Sequence, residues 1–147
     1  MAYRRIHNKG DWRHEEAVAA KVIAPGMLLE ITTSGTVQPH SNEGGRCERL
    51  VAQEDALQGR GVDTDYAVDD IVSIAVMAPG SVFNMLMLAG ETGSPGQEVA
   101  SDGNGHIILA ANLSTATELD QIVGRIDASE ATFTTLAVNT LKAIRIV

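Results

Sequence analysis

A chain of 147 residues suffices for one domain with its own core, expected to bury roughly 68–70 % of the surface its unfolded form exposes, so neither disulfides nor a metal are required. Eleven Lys and Arg against 19 Asp and Glu give a net charge of −8, which opposes binding nucleic acid through the domain body. The one cysteine excludes an intrachain disulfide and fits a reducing compartment.

The charge is uneven along the chain. Residues 1–14, MAYRRIHNKGDWRH, carry a net +3 and the remainder −11. That first stretch has no apolar run of signal-peptide or membrane-span length, so neither export nor insertion is expected. Residues 1–16 read as an extended basic arm, either flexible, ordered on a neighbour, or forming a short first strand, with residues 17–147 as a β domain. An arm free in water has no reason to carry the only tryptophan, a favoured interface anchor. Tyr3, Arg4, Arg5 and Trp12 are therefore the candidate partner-binding residues.

From Ala17 onward short apolar runs alternate with turns. Ala24-Pro25-Gly26 and Thr33-Ser34-Gly35 bracket Met27–Thr32, and Thr36-Val37 resumes extension, which predicts a hairpin. SNEGGR reads as a loop, and Glu48–Gln53 as a strand too short for periodicity to separate from a helical turn. Ile71–Met77, rich in β-branched residues and closed by Ala78-Pro79-Gly80, is the clearest strand. Ser81–Ala89 is another. GETGSPGQEVASDGNGH reads as repeated turn chemistry interrupted by Gln97–Ala100, and His106–Ala111, Ile122–Asp127 and Leu136–Val147 as further strands. Ser114 is placed to cap a helical turn over Thr115–Leu119. Turn signals every 8–12 residues or so predict a mainly β, compact barrel or sandwich. Aromatics are only 3 % of the chain, so Val, Ile, Leu, Met and Ala must fill its core.

The segment that most resembles a catalytic or metal loop is Gly61–Asp70, GVDTDYAVDD. As an EF-hand begun at Asp63 it fails, with Ala67 at the fifth position, Val68 at the glycine position and Ile74 at the closing glutamate. Its acids read as solvated turn residues, with Asp63 or Asp65 making an Asx-type backbone bond and Tyr66 packed against the barrel end with its hydroxyl bonded. His7, His14, His40 and His106 are too widely spaced for a local ligand pair and read as surface or hairpin residues. GETGSPGQ lacks the lysine of a phosphate loop, and no G-x-S-x-G elbow occurs. Arg46 and Arg49 flank Cys47 and favour its thiolate, but nothing around it marks a nucleophile. Glu54 and Asp55, neighbours in a strand, would face opposite ways. No catalytic, cofactor-binding or metal-binding set is expected.

Two family resemblances bear on function. Asp63-Thr64-Asp65-Tyr66 resembles the Asp-x-x-Tyr of trimeric dUTP diphosphatases, where the aspartate activates water and the tyrosine stacks near the sugar. Here Ala67-Val68 stands where Arg-Gly usually follows, and both the Arg-Ser phosphate segment and the glycine-rich tail are absent. A triphosphate site would then lack its cationic cradle.

Over residues 20–127 the order Ala52-Gln53-Glu54-Asp55, Tyr66-Ala67-Val68-Asp69-Asp70, Ala89-Gly90-Glu91 and Ser101-Asp102-Gly103-Asn104-Gly105 resembles the capsid decoration (cement) proteins of tailed bacteriophages. Asp69 departs from the family where glycine is frequent, as does the Ser94–Gln97 loop. The resemblance implies a β-tulip-type domain and a homotrimer at threefold positions on the outer capsid. It also implies a non-enzymatic role with no cofactor: made in the host cytoplasm, the protein would bind the major capsid protein and stabilise the head against packaged-DNA pressure. Neither membrane nor direct nucleic-acid binding is expected. A dUTP-diphosphatase-like enzyme using Asp63 and Tyr66, or a small carrier barrel, are the alternatives.

Overall fold

Short extended runs separated by turns give eleven strands in the computed structural model, which describes residues 5–114 and 121–147. They are β1 (His7–Lys9), β2 (Trp12–Val18), β3 (Leu29–Ile31), β4 (Val37–Pro39), β5 (Leu50–Ala52), β6 (Ile71–Met77), β7 (Val82–Met87), β8 (Glu98–Ser101), β9 (Ile107–Leu109), β10 (Gly124–Ile126) and β11 (Thr140–Ile146). A 3-10 turn at Ala56–Gln58 follows β5, and another at Ala110–Asn112 follows β9.

Five of these strands close a barrel in the order β7-β11-β10-β8-β9. The seam is a parallel contact of β9 with β7 at Met87↔Ile107. One edge of β7 is occupied in succession along its length: Asn84 N donates to Ile6 O, Leu86 N to Gly26 O and Leu88 N to Ile107 O. Antiparallel β1 covers the Val82–Phe83 end of that edge. Beside the barrel lies an antiparallel sheet β2-β6-β5, and the hairpin β3-β4 closes over it.

β6 explains its own sequence. Ala75 and Met77 join the barrel core with Phe83, Met85, Ile107 and Ile144, while Val72 and Ile74 join a second cluster with Ile23, Leu29, Val37 and Tyr66. From Ile74 to Met77 both faces are packed, and a strand so buried reads as a continuous apolar run rather than an alternating one, while Ile71 at its start is exposed.

The hairpin expected at residues 27–37 is β3-β4, with Gly35 at φ 82 in its turn. Gln97–Ala100, expected only to interrupt turns, instead overlaps β8, a barrel strand whose Val99 and Ala100 are buried. Glu54 and Asp55 lie after β5 and lead into the 3-10 turn, so the strand geometry expected for them does not apply. The helical turn expected at Thr115–Leu119 lies outside the described residues.

The N-terminal segment belongs to the fold from Ile6 onward. Ile6 is fully buried and its N–H donates to Glu54 Oε2 at 3.0 Å. β1 then pairs with β7, the chain turns at Gly10, and β2 pairs with β6 over its whole length. A Cβ at Gly10 would stand 2.7 Å from Ser81 Cα, so only glycine lets this turn pass the β6–β7 connection. The boundary expected at residue 16 falls inside β2.

Candidate interaction face

The GVDTDYAVDD loop is built around Tyr66. Its ring is 1 % exposed, its backbone bridges to Ile23, and its hydroxyl donates to Gln53 O at 2.7 Å. Burial pushes the phenol up to about 12, so it stays protonated and remains a donor. The sugar-stacking role in the nucleotide-hydrolysing alternative requires an open tyrosine face, and this one is packed against Val72 and Ile74 in the second core. Asp63 and Asp65 are exposed. The Asx-type bond expected of them is not formed; instead the Asp70 carboxylate reaches back three residues, its Oδ2 accepting from Ala67 N at 2.8 Å. Asp69 stands at φ 73, in the left-handed region.

Two other expectations are corrected by burial. His40 is inside, 2 % exposed, with Nδ1 2.6 Å from Ser101 Oγ and Nε2 3.1 Å from Arg46 O. A carbonyl only accepts, so Nε2 carries a proton toward Arg46 O. The pair fastens the segment after β4 to the end of β8. Burial also pushes the Cys47 thiol up, outweighing the pull of Arg49, whose Nη1 lies 3.2 Å from Sγ. The thiolate is therefore not favoured there. Asp127 is buried as well; burial raises its carboxyl, but bonds from Ser129 Oγ at 2.6 Å, Ser129 N and Arg145 Nη2 at 2.8 Å outweigh that and hold it below the usual range.

Among the described residues no three His, Cys, Asp or Glu side chains gather into a metal-binding group. No described helix is long and apolar enough to cross a membrane.

Unpartnered surface collects on β2. All its residues but Ala17, which packs on the second core, are exposed; among the described residues it is the outer strand of its sheet, with little covering either face. Trp12 is 37 % exposed and ends a run of rings that starts inside the barrel: Phe83 to His7 at 5.3 Å, His7 to Trp12 at 5.6 Å, Trp12 to His14 at 6.2 Å between centroids. Trp12, His14 and Glu16 share one face with Ile71 and Ser73 and line an open groove of about 530 Å³ bordered by the 3-10 turn at Ala56–Gln58. Ile71 at 62 % and Leu57 at 94 % exposure add apolar surface.

Of the four candidate partner-binding residues, Tyr3 and Arg4 lie outside the described residues. Arg5 is exposed and its carbonyl accepts from Asn84 Nδ2 at 2.8 Å. Trp12 is on β2. Composition singled out Trp12 but missed Leu57 and Ile71 on the same groove, which a β domain read from apolar pattern alone does not distinguish from core.

No family model matches the chain, and a search of curated proteins returns no match.

Proposed function

We propose that the chain is a capsid decoration protein of a tailed bacteriophage, a non-enzymatic virion protein that binds the outer face of the head as trimers at threefold positions. There it clamps major capsid subunits against the pressure of packaged DNA. The observation that carries this reading is at Asp69. The decoration family frequently has glycine at this point of its motif, and here the backbone stands at φ 73, a conformation glycine adopts freely and aspartate better than most. Aspartate here thus fills a backbone conformation that the family's frequent glycine would also suit. The other motif segments also sit at structural points of one β unit: Gln53 O receives the Tyr66 hydroxyl, Glu91 is buried beneath the 3-10 turn at Ala110–Asn112 and accepts from Asn112 Nδ2 at 2.8 Å, and Gly103 and Gly105 take positive φ.

The test is to mix purified protein with expanded, undecorated capsids and measure co-sedimentation and occupancy by imaging. Stoichiometric, saturable binding is expected; none at any ionic strength overturns the reading, as does dUTP hydrolysis that disappears in Asp63→Asn. The contribution of the first residues is read from removal of residues 1–4 and from Arg5→Ala. Removing 1–14 would also take Ile6 out of the core and β1 off β7, and so would measure folding rather than binding.

A further inference from the structure

We propose that β2 is a self-pairing edge: a second copy of this chain adds its own β2 antiparallel to it, with His14 opposite His14 on a two-fold axis. The inference concerns a contact between copies and stands independently of the capsid reading. Hydrogen-bond directions come first. Gln53 N donates to Ser73 O and Met77 N to Arg49 O, so the odd residues of β6 serve β5 and Val72, Ile74 and Val76 serve β2. Their partners are Ala17, Glu15 and Arg13. Alternation then turns the backbone N–H and C=O of Trp12, His14 and Glu16 outward, where no backbone group of the described residues bonds them.

The free edge ends at both sides. Beyond Val18 the chain is taken by β4, with Ala20 N donating to Val37 O and Ala19 bridging Val37. Before Trp12 lies the turn at Gly10. The available stretch is Trp12–Glu16, and its centre is His14. Two strands related by a two-fold axis across such an edge pair i with a constant minus i, so centring on His14 sets Trp12 against the other copy's Glu16 and Arg13 against its Glu15.

The charges select the same register. Within one copy Arg13 Nη2 donates to Glu15 Oε1 at 2.9 Å; across the axis each Arg13 also faces Glu15 of the other copy, so the two pairs meet as one alternating four-charge set in the close, non-hydrogen-bonded positions where cross-strand pairs interact most. Centring on Glu15 would oppose two glutamates and run the other strand into β4. Exposed edges are commonly guarded by charged side chains, lysine above all, and charges of one sign facing each other across an edge repel another copy. This edge reads Arg-His-Glu-Glu, mixed and self-complementary, so its charges orient a second copy instead of excluding it. Trp12, the large aromatic at the end of the edge, is thereby covered. If the unit in solution is a trimer, this contact joins two of them.

Mass by light scattering on a sizing column, together with disulfide trapping, tests the inference. The wild-type protein is expected to contain an even number of chains. Arg13→Glu and Glu15→Arg are each expected to halve the mass, and the double exchange Arg13→Glu with Glu15→Arg to restore it. Both side chains are exposed, so circular dichroism should show the fold unchanged. In a Cys47→Ser background, His14→Cys should form an intermolecular disulfide on mild oxidation, since opposed Cα atoms in a hydrogen-bonded pair are about 5.5 Å apart and within disulfide reach. An odd or monomeric wild-type mass, no change in the single variants, or cross-linking through Glu15→Cys in place of His14→Cys each overturns the inference.

Discussion

Asp69 concentrates a backbone demand in one residue. It precedes Asp70, whose carboxylate caps Ala67 N, and its own N–H donates to Ala19 O at 2.9 Å, so it cannot leave φ 73 without releasing the chain entering β6. A left-handed conformation costs an ordinary L-residue on the order of 1–2 kcal/mol, glycine little, and aspartate an intermediate amount. Glycine, however, has more freedom to lose on folding, which offsets part of its advantage. Asp69→Gly is therefore expected to change stability by less than about 0.5 kcal/mol, and Asp69→Ala to destabilise by about 1 kcal/mol, as read from urea midpoints. Equal midpoints for the two variants would show that the conformation is not enforced.

At the scale of elements, close approach between strands sets the limits. Gly124 sits between β8 and β11, paired with Val99 and Ile146, where an added Cβ would meet the carbonyl oxygen of Arg145 and stand 2.8 Å from Ile144 Cγ2. Backbone cannot rotate aside as a flexible side chain can, so Gly124→Ala should cost about 1–3 kcal/mol, the range of overpacked cores. Gly61 has open space around its Cβ direction and ordinary φ, so Gly61→Ala should be neutral or stabilising by up to about 1 kcal/mol. The difference between the two variants, read from thermal melts, is the check. The same local geometry decides which strands the sequence made legible. Ile71–Met77 declared itself because it is long and β-branched and from Ile74 onward packs into both cores, whereas the three apolar residues Leu50–Ala52 are too few for their pattern alone to separate a strand from a helical turn. β2 was hidden for the opposite reason: largely exposed on both faces among the described residues, it needs no apolar alternation, and its charged residues resemble a solvated arm. β8 was hidden by glycines on both sides. Trp12 was legible as an anomaly of composition, whereas the edge register that makes it part of a surface depends on pairing with β6, which no local pattern encodes.

Across the whole molecule, the barrel and the β2-β6-β5 sheet are tied at several distant points. The N-terminal segment runs from barrel to sheet, with Ile6 in the barrel core and Trp12–Val18 on β6. β6 passes to β7 through Ala78–Ser81, where Gly80 N donates to Ile146 O and Ile146 N to Ser81 O. Arg49, leading into β5, donates from Nη2 to Ile122 O at 2.6 Å beside the barrel, and β6 itself supplies side chains to both cores. Neither sheet can open without stripping buried apolar surface from the other, the condition for one cooperative transition. Trp12, the single tryptophan, reports on the sheet, while far-UV circular dichroism reports on the strands of barrel and sheet together. Measured on Arg13→Glu, so that contact between copies does not enter, the two urea curves should coincide in midpoint and slope. Ile6→Ala should shift both together to lower urea, by a loss of about 2–5 kcal/mol expected for truncating a buried isoleucine. If the Trp12 signal moved ahead of the circular dichroism, the sheet would be unfolding as a unit of its own, and β1 and Ile6 would not bind it to the barrel.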